Sequence, residues 1–295
     1  MVSIMFFHQN FLVFFPFSAF HLCGHFGVDM FFFVSGFGLV YSLNNNNTLL
    51  FFYKRRLKRL LFPILLCCCL KFILSYTIWP FNLSPRSISS LLAWDLWFFK
   101  PLVCFYLLAP YLFRALKQVS YSSIVMTTLL ICAIFILLFP SLENSVVAWS
   151  VARFPTFVLG MAMGKGWTPN VIIKHGWLFA LLAIIFRALV VKNCLIVNNL
   201  FTYPILTLAL PAIAYYISLA GDKFRNKSLY NSMKWCGVIS LELYIWHEFI
   251  YRIFGEMAIN QYCAFVFAIA TSLIIAYACH RLLALLLNIF ASPVS

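Results

Sequence analysis

The sequence predicts an all-α protein: a polytopic membrane helix bundle of about ten transmembrane helices, with both termini on the inner side. Three observations carry that reading. The 295 residues are 64% hydrophobic and only 9% charged, with a mean hydropathy of +0.97, whereas a soluble domain is nearer half apolar and a quarter charged. The apolar residues fall into stretches of about 20, the length a helix needs to cross a bilayer. The basic residues collect in alternate connections, the pattern by which positive loops orient a membrane chain. A single integral membrane domain over 1–295 is expected, with no soluble domain attached.

Taken in order, the stretches are roughly 2–20, 26–43, 60–79, 96–116, 121–140, 147–165, 176–192, 199–220, 236–254 and 263–288. With the N-terminus inside, the inner loops carry Lys54, Arg55, Arg56, Lys58 and Arg59, then Arg114 and Lys117, then Lys165 and Lys174, then Lys223, Arg225, Lys227 and Lys234. The outer loops hold little beyond Arg86 and Lys192. A miscount by one span would scatter these charges over both sides, so the loops test the count independently of hydropathy. They also account for the net charge of +14 without invoking nucleic acid. The ten cysteines include Cys67, Cys68 and Cys69 in an apolar run, and no CxxC pair or Cys/His spacing suggests zinc. They read as small apolar fillers, and no metal is expected. The first stretch contains His8, Gln9 and Asn10 where a signal peptide would have its apolar core.

Ionisable residues inside spans are functional candidates, because each needs a partner or water. Lys71, Lys100, Arg187, His280 and Arg281 lie toward span ends, where long side chains snorkel to the interface. Glu242 and Asp95 stay ambiguous. By depth, at 1.5 Å of rise per residue, Asp29, Arg153, His247 and Glu248 all fall in the outer half. An acid, an arginine and a histidine could therefore meet there. His8 is read equally as a structural hydrogen-bonder or as a general base, since imidazole titrates near physiological pH.

In "YKRRLKRLLFP" (53–63), Arg55, Arg56 and Arg59 can share one helical face. They read either as a topology anchor facing anionic membrane lipid or as a clamp for the phosphates of a cytoplasmic donor, which guanidinium groups suit. Pro63 suggests a kink at the start of the third span.

"GHFGVDMFFFVSGFGL" (24–39) resembles the second-helix signature of the integral membrane acyltransferase 3 family, with its Gly-Val-Asp, Phe pair and Ser-Gly. "RRLKRLLFP" is similar to that family's basic segment before the third helix. "LWFFKPLVCFYLLAPYL" (96–112) resembles its Trp-rich helix, and "ISLELYIWHEFIY" (239–251) its late Ser…Tyr-Leu-x-His motif. Four motifs in order cover nearly the whole chain.

The resemblance implies an O-acetyltransferase-type enzyme of the bacterial inner membrane. It would move an acyl group, usually acetyl, with succinyl also open, from cytoplasmic acyl-CoA to a hydroxyl of a cell-surface polysaccharide or lipid-linked sugar. The family's catalytic histidine falls on His8. A basic residue about three turns upstream is also implied; none precedes His8 here, so the natural start is expected to lie further upstream. Asp29 would either orient His8 and stabilise its imidazolium or pair with Arg153, and His25 or His247 are its other candidate partners. Arg55, Arg56 and Arg59 would bind the donor's phosphates. His247 is assigned to catalysis, and Arg153, Tyr106, Tyr244 and Glu248 to its support. Ser35-Gly36 reads as a close-packing device between helices. Two alternatives stand beside this: a member without catalysis, or a glycan-linked membrane transporter. Transporters tend to show internal repeats and Gly/Pro-broken helices; no repeat is visible here, and there are only 11 glycines.

Overall fold

A computed structural model describes residues 17–44, 48–78, 97–142, 145–191, 199–223, 228–257 and 260–291. The candidate first span with His8, the sequence around Arg86 and Asp95, and Lys192 lie outside the described residues. Every regular element described is helical: α1 (Phe17–Asn44), α2 (Leu49–Ile78), α3 (Phe99–Gln118), α4 (Tyr121–Leu138), α5 (Val146–Gly164), α6 (Asn170–Val191), α7 (Thr202–Lys223), α8 (Ser228–Val238), α9 (Ser240–Glu256) and α10 (Gln261–Ala291), with 3₁₀ turns at Pro140–Leu142 and Asn199–Phe201. Eight of these, α1 to α7 and α10, are long and apolar enough to cross a membrane. Helices satisfy their backbone groups internally, which hydrocarbon requires. The protein is an integral membrane helix bundle.

Four helix boundaries differ from the sequence reading: α1 begins at Phe17 rather than 26 and α6 at Asn170 rather than 176, and two others differ more consequentially. The third span does not begin at 60: α2 starts at Leu49, so the basic segment is helical and Pro63 sits inside the helix. A proline inside a membrane helix is tolerated where neighbouring groups re-satisfy the freed carbonyl. The ninth span, expected over 236–254, is divided. Residues 236–238 close α8, Ile239 makes the junction at φ −92° and ψ 9°, and α9 starts at Ser240. Gly237, a poor helix former, stands one residue from the end of α8. At 17 residues, α9 is short for an upright crossing.

The chain forms two compact units. One comprises residues 25–53 and 98–225. Its centre is a seam between α1 and α5. A Cβ on Gly36 would overlap the Phe157 carbonyl, one on Gly160 would overlap the Phe33 carbonyl, and one on Gly164 would come within 2.7 Å of Phe37 O. The small-residue device expected at Gly36 is therefore present, met from α5 by a Gly-x-x-x-Gly pair. These contacts climb together along both chains, so α1 and α5 run parallel. Phe105 meets Phe154 and Phe157, while Phe113 meets Lys165, so α3 is parallel to them. Arg153 meets Tyr203 and Thr156 meets Thr207, so α7 is parallel as well.

The intervening helices return in the opposite sense. Cys132 and Ile136 of α4 pack with Ala148 and Ala152 of α5, and Gly176 of α6 lies against Ala212 of α7 while Ala183 packs with Leu206. The ends of α3, α5 and α7 and the start of α6 thus bring Arg114, Lys117, Lys165, Lys174 and Lys223 to one end of this unit. The other unit comprises 54–97 and 226–295 with the N-terminal 24 residues. In it α9 packs against α10. The buried stripe of α2 facing inward is Leu60, Pro63, Cys67, Lys71 and Ser75, a spacing of three or four residues that holds one helical face.

Candidate active site

Asp29 lies on α1 two turns before Gly36, and Arg153 on α5 two turns before Gly160. The seam that lets the two backbones touch therefore also delivers these side chains to each other. Arg153 Nε stands 3.1 Å from Asp29 Oδ1, with both side chains only 1% exposed. The guanidinium Nη1 donates to Trp149 O at 3.1 Å, and its carbon lies 4.1 Å from the Tyr203 ring centroid. One cation thus joins α1, α5 and α7. A turn further along, Thr207 donates to Tyr203 O at 2.9 Å, and its oxygen lies 2.6 Å from the Thr156 hydroxyl. A buried ion pair is tolerated in such a place only with further hydrogen bonds on the charged groups. Arg153 has them. Asp29 Oδ2 accepts none among the described residues.

The second polar centre belongs to the other unit. His247 Nδ1 lies 2.6 Å from Tyr244 O and 3.3 Å from Leu243 O. A carbonyl only accepts, so Nδ1 carries the hydrogen and the lone pair of the neutral ring is on Nε2. The Tyr244 and Tyr251 rings flank the imidazole, at 5.5 Å and 6.1 Å between centroids. One turn earlier, Glu242 is buried and its Oε1 lies 2.9 Å from Nδ1 of His280 on α10. Lys71 of α2 is buried, 5% exposed, with Nζ 5.9 Å and 5.7 Å from the Trp246 and Phe249 ring centroids. These distances are near the limit of a cation–π contact.

The acyltransferase 3 family model, described as an acyltransferase domain, matches residues 1–281. The chain belongs to the acyltransferase 3 family. No curated protein and no solved structure matches it. Membership in this family, with eight membrane-length helices, makes the protein a membrane acyltransferase.

Against that identity the expected site residues sort as follows. Arg153 is brought to Asp29; His8 and the side chain of His25, two of its other candidate partners, lie outside the described residues. The Tyr244 ring stands beside His247, and Glu248 is half-buried on the same helix. Tyr106 is half-buried on α3, its ring 6.5 Å from Phe157. Arg55 and Arg59 are exposed one turn apart on α2, while Arg56 is turned partly inward with its Nε buried. The three arginines therefore do not share one open face. No group of three or more His, Cys, Asp or Glu close enough to hold a metal occurs among the described residues.

Sequence reasoning missed three participants. Lys71 and His280 were expected to snorkel; instead one is buried beside two aromatic rings and the other pairs with Glu242. Tyr203, which stacks on Arg153, carried no charge to draw attention. The legible signal for Lys71 was its place on the stripe Leu60, Pro63, Cys67, Ser75, with about 12 Å of helix still to come on the counted span. That is too far for a lysine to reach the interface.

Proposed function

We propose that this acyltransferase moves an acyl group, acetyl in the simplest case, from cytoplasmic acyl-CoA to a hydroxyl of a cell-surface glycan or lipid-linked sugar in the bacterial inner membrane. The observation that carries the reading is the family match over residues 1–281. Arg55 and Arg59, exposed on the first turns of α2, suit the donor's phosphates, with Arg56 completing the set from its inner side. The common basic end of α3, α5, α6 and α7 supports a cytoplasmic assignment for that end, and with it ten crossings and both termini inside.

In the proposed reaction His8 takes the proton of the acceptor hydroxyl. The oxygen bonds to the thioester carbonyl carbon, the carbon–sulfur bond breaks, and the departing coenzyme A thiolate takes up a proton. Asp29 would orient His8 and stabilise its imidazolium. His247, its Nδ1–H fixed on Tyr244 O, would in its protonated form donate from Nε2 to the developing oxyanion, with Tyr244, Tyr106 and Glu248 in support.

The test is base-labile O-acyl ester on the surface glycan of the native host, in wild type, a deletion and a chromosomal His8→Ala strain with protein level measured. Loss of ester in both, with the variant protein present, is the expected result. Ester retained by His8→Ala overturns the assignment of the base. Ester unchanged by deletion overturns the glycan acceptor in that host.

A further inference from the structure

The end of α5 is built with unusual definition. Gly166 adopts φ +99°, a left-handed conformation that favours glycine. Gly166 N donates to Met163 O at 2.9 Å and Trp167 N to Ala162 O at 3.1 Å. This is the paired bonding by which a glycine just past the end closes a helix, and Pro169 follows it. Lys165 is thereby fixed as the capping residue. Its ammonium lies 4.3 Å from the centroid of Phe113 on α3, a buried ring, and Lys117 of α3 lies 4.9 Å from the same centroid. The two cations are thus no farther apart than about 9 Å, inside one Debye length. No carboxylate pairs with either among the described residues. Partial burial, and then the charge of Lys117, hold the Lys165 ammonium below the ordinary lysine value.

Each lysine separately would complement the carbonyl end of its own helix. That accounts for a cation at each terminus and not for both over one ring. Two like charges held together by parallel helices repel, and an anion between them relieves the repulsion. Below them on α3 the side chains of Val103 and Leu107 are exposed within about a quarter turn of Lys117, as a surface in contact with acyl chains should be.

We propose that Lys117 and Lys165, converging on Phe113, form a binding site for the phosphate headgroup of an anionic membrane lipid, with the lipid's chains alongside α3. Basic pockets between membrane helices at the cytoplasmic side bind such headgroups. The two lysines are other residues than Arg55 and Arg59, which the proposed function assigns to the donor.

The detergent-purified full chain is titrated with phosphatidylglycerol in mixed micelles and read by thermal unfolding, with phosphatidylcholine, inorganic phosphate and coenzyme A in parallel. Each lysine near a membrane surface is worth a factor of about five. The Lys117→Gln/Lys165→Gln protein should therefore need about 25-fold more phosphatidylglycerol for the same stabilisation. Lys174→Gln, at the same end of the unit, should titrate close to wild type. Lys117→Arg/Lys165→Arg keeps both charges and should also follow wild type, which guards against a folding defect in the glutamine pair. Equal titration by the glutamine pair and wild type overturns the site. Stabilisation by inorganic phosphate or coenzyme A as strong as that by phosphatidylglycerol, and equally dependent on the two lysines, overturns the lipid as its occupant.

Discussion

Asp29 and Arg153 are each 1% exposed and 3.1 Å apart, so removing one charge strands the other in a low-dielectric interior. Asp29→Asn leaves the guanidinium buried, against the Trp149 carbonyl and the Tyr203 face, without its carboxylate. Breaking a buried pair this way costs about 3–5 kcal/mol, whereas replacing both partners by apolar groups of similar volume is often neutral. Asp29→Asn and Arg153→Met should therefore each destabilise by about that amount. Asp29→Leu/Arg153→Met should lie within about 1 kcal/mol of wild type. Unfolding of the purified protein in mixed detergent micelles, followed by tryptophan fluorescence, gives the three values. Additive single effects, within about 0.5 kcal/mol, would refute the ion pair as the tie between α1 and α5. The ester assay on the double variant separates two roles: a folded but inactive protein means that one of the charges also acts in the chemistry.

Three further outcomes are expected. Gly36→Ala should destabilise by about 1–3 kcal/mol or more, because its Cβ meets the Phe157 backbone, whereas Gly38→Ala, which opens into free space, should be tolerated; thermal unfolding of the pair checks this. Arg55→Gln and Arg59→Gln should each raise KM for acyl-CoA by about five- to tenfold with kcat kept, and a fall in kcat at constant KM would remove them from donor binding. Glu242→Gln and His280→Ala should each lower stability by about 1–3 kcal/mol. Their double variant should cost less than the sum if the 2.9 Å contact joins α9 to α10.

The bundle was legible because hydrocarbon leaves a chain few choices: eight of the ten expected spans correspond to described helices, five of them within a few residues, while α1, α2 and α6 begin earlier. Helix starts were harder than helix cores, since charged turns such as Lys54 to Arg59 are helical yet fail a hydropathy rule. The division at Ile239 was hidden for the opposite reason, the residues on both sides being apolar. Asp29 stood out as a charge in a phenylalanine-rich run and Arg153 was among its candidate partners, but the choice between them was not legible: the contact with Arg153 spans 124 positions and depends on where Gly36, Gly160 and Gly164 let backbones meet. Lys71 and His280 were set aside on depth alone. Depth says how far a side chain lies from water, and says nothing about whether a neighbouring helix such as α9 already covers it.

The directions of the helices carry an argument that neither hydropathy nor charge could supply. Among 25–53 and 98–225, α1, α3, α5 and α7 run parallel, and from α3 to α5 and from α5 to α7 a single helix brings the chain back. A parallel pair joined by a returning helix is possible only if that helix travels the full height of the bundle. α4 and α6 are therefore complete traverses, and the hairpin contacts of α4 with α5 and of α6 with α7 show both returns directly. This parity is what gathers Lys117 and Lys165 at one end and Asp29 and Arg153 toward the other. A chain with one crossing fewer between α1 and α5 would place the carboxylate and the guanidinium at opposite ends, and the ion pair could not form.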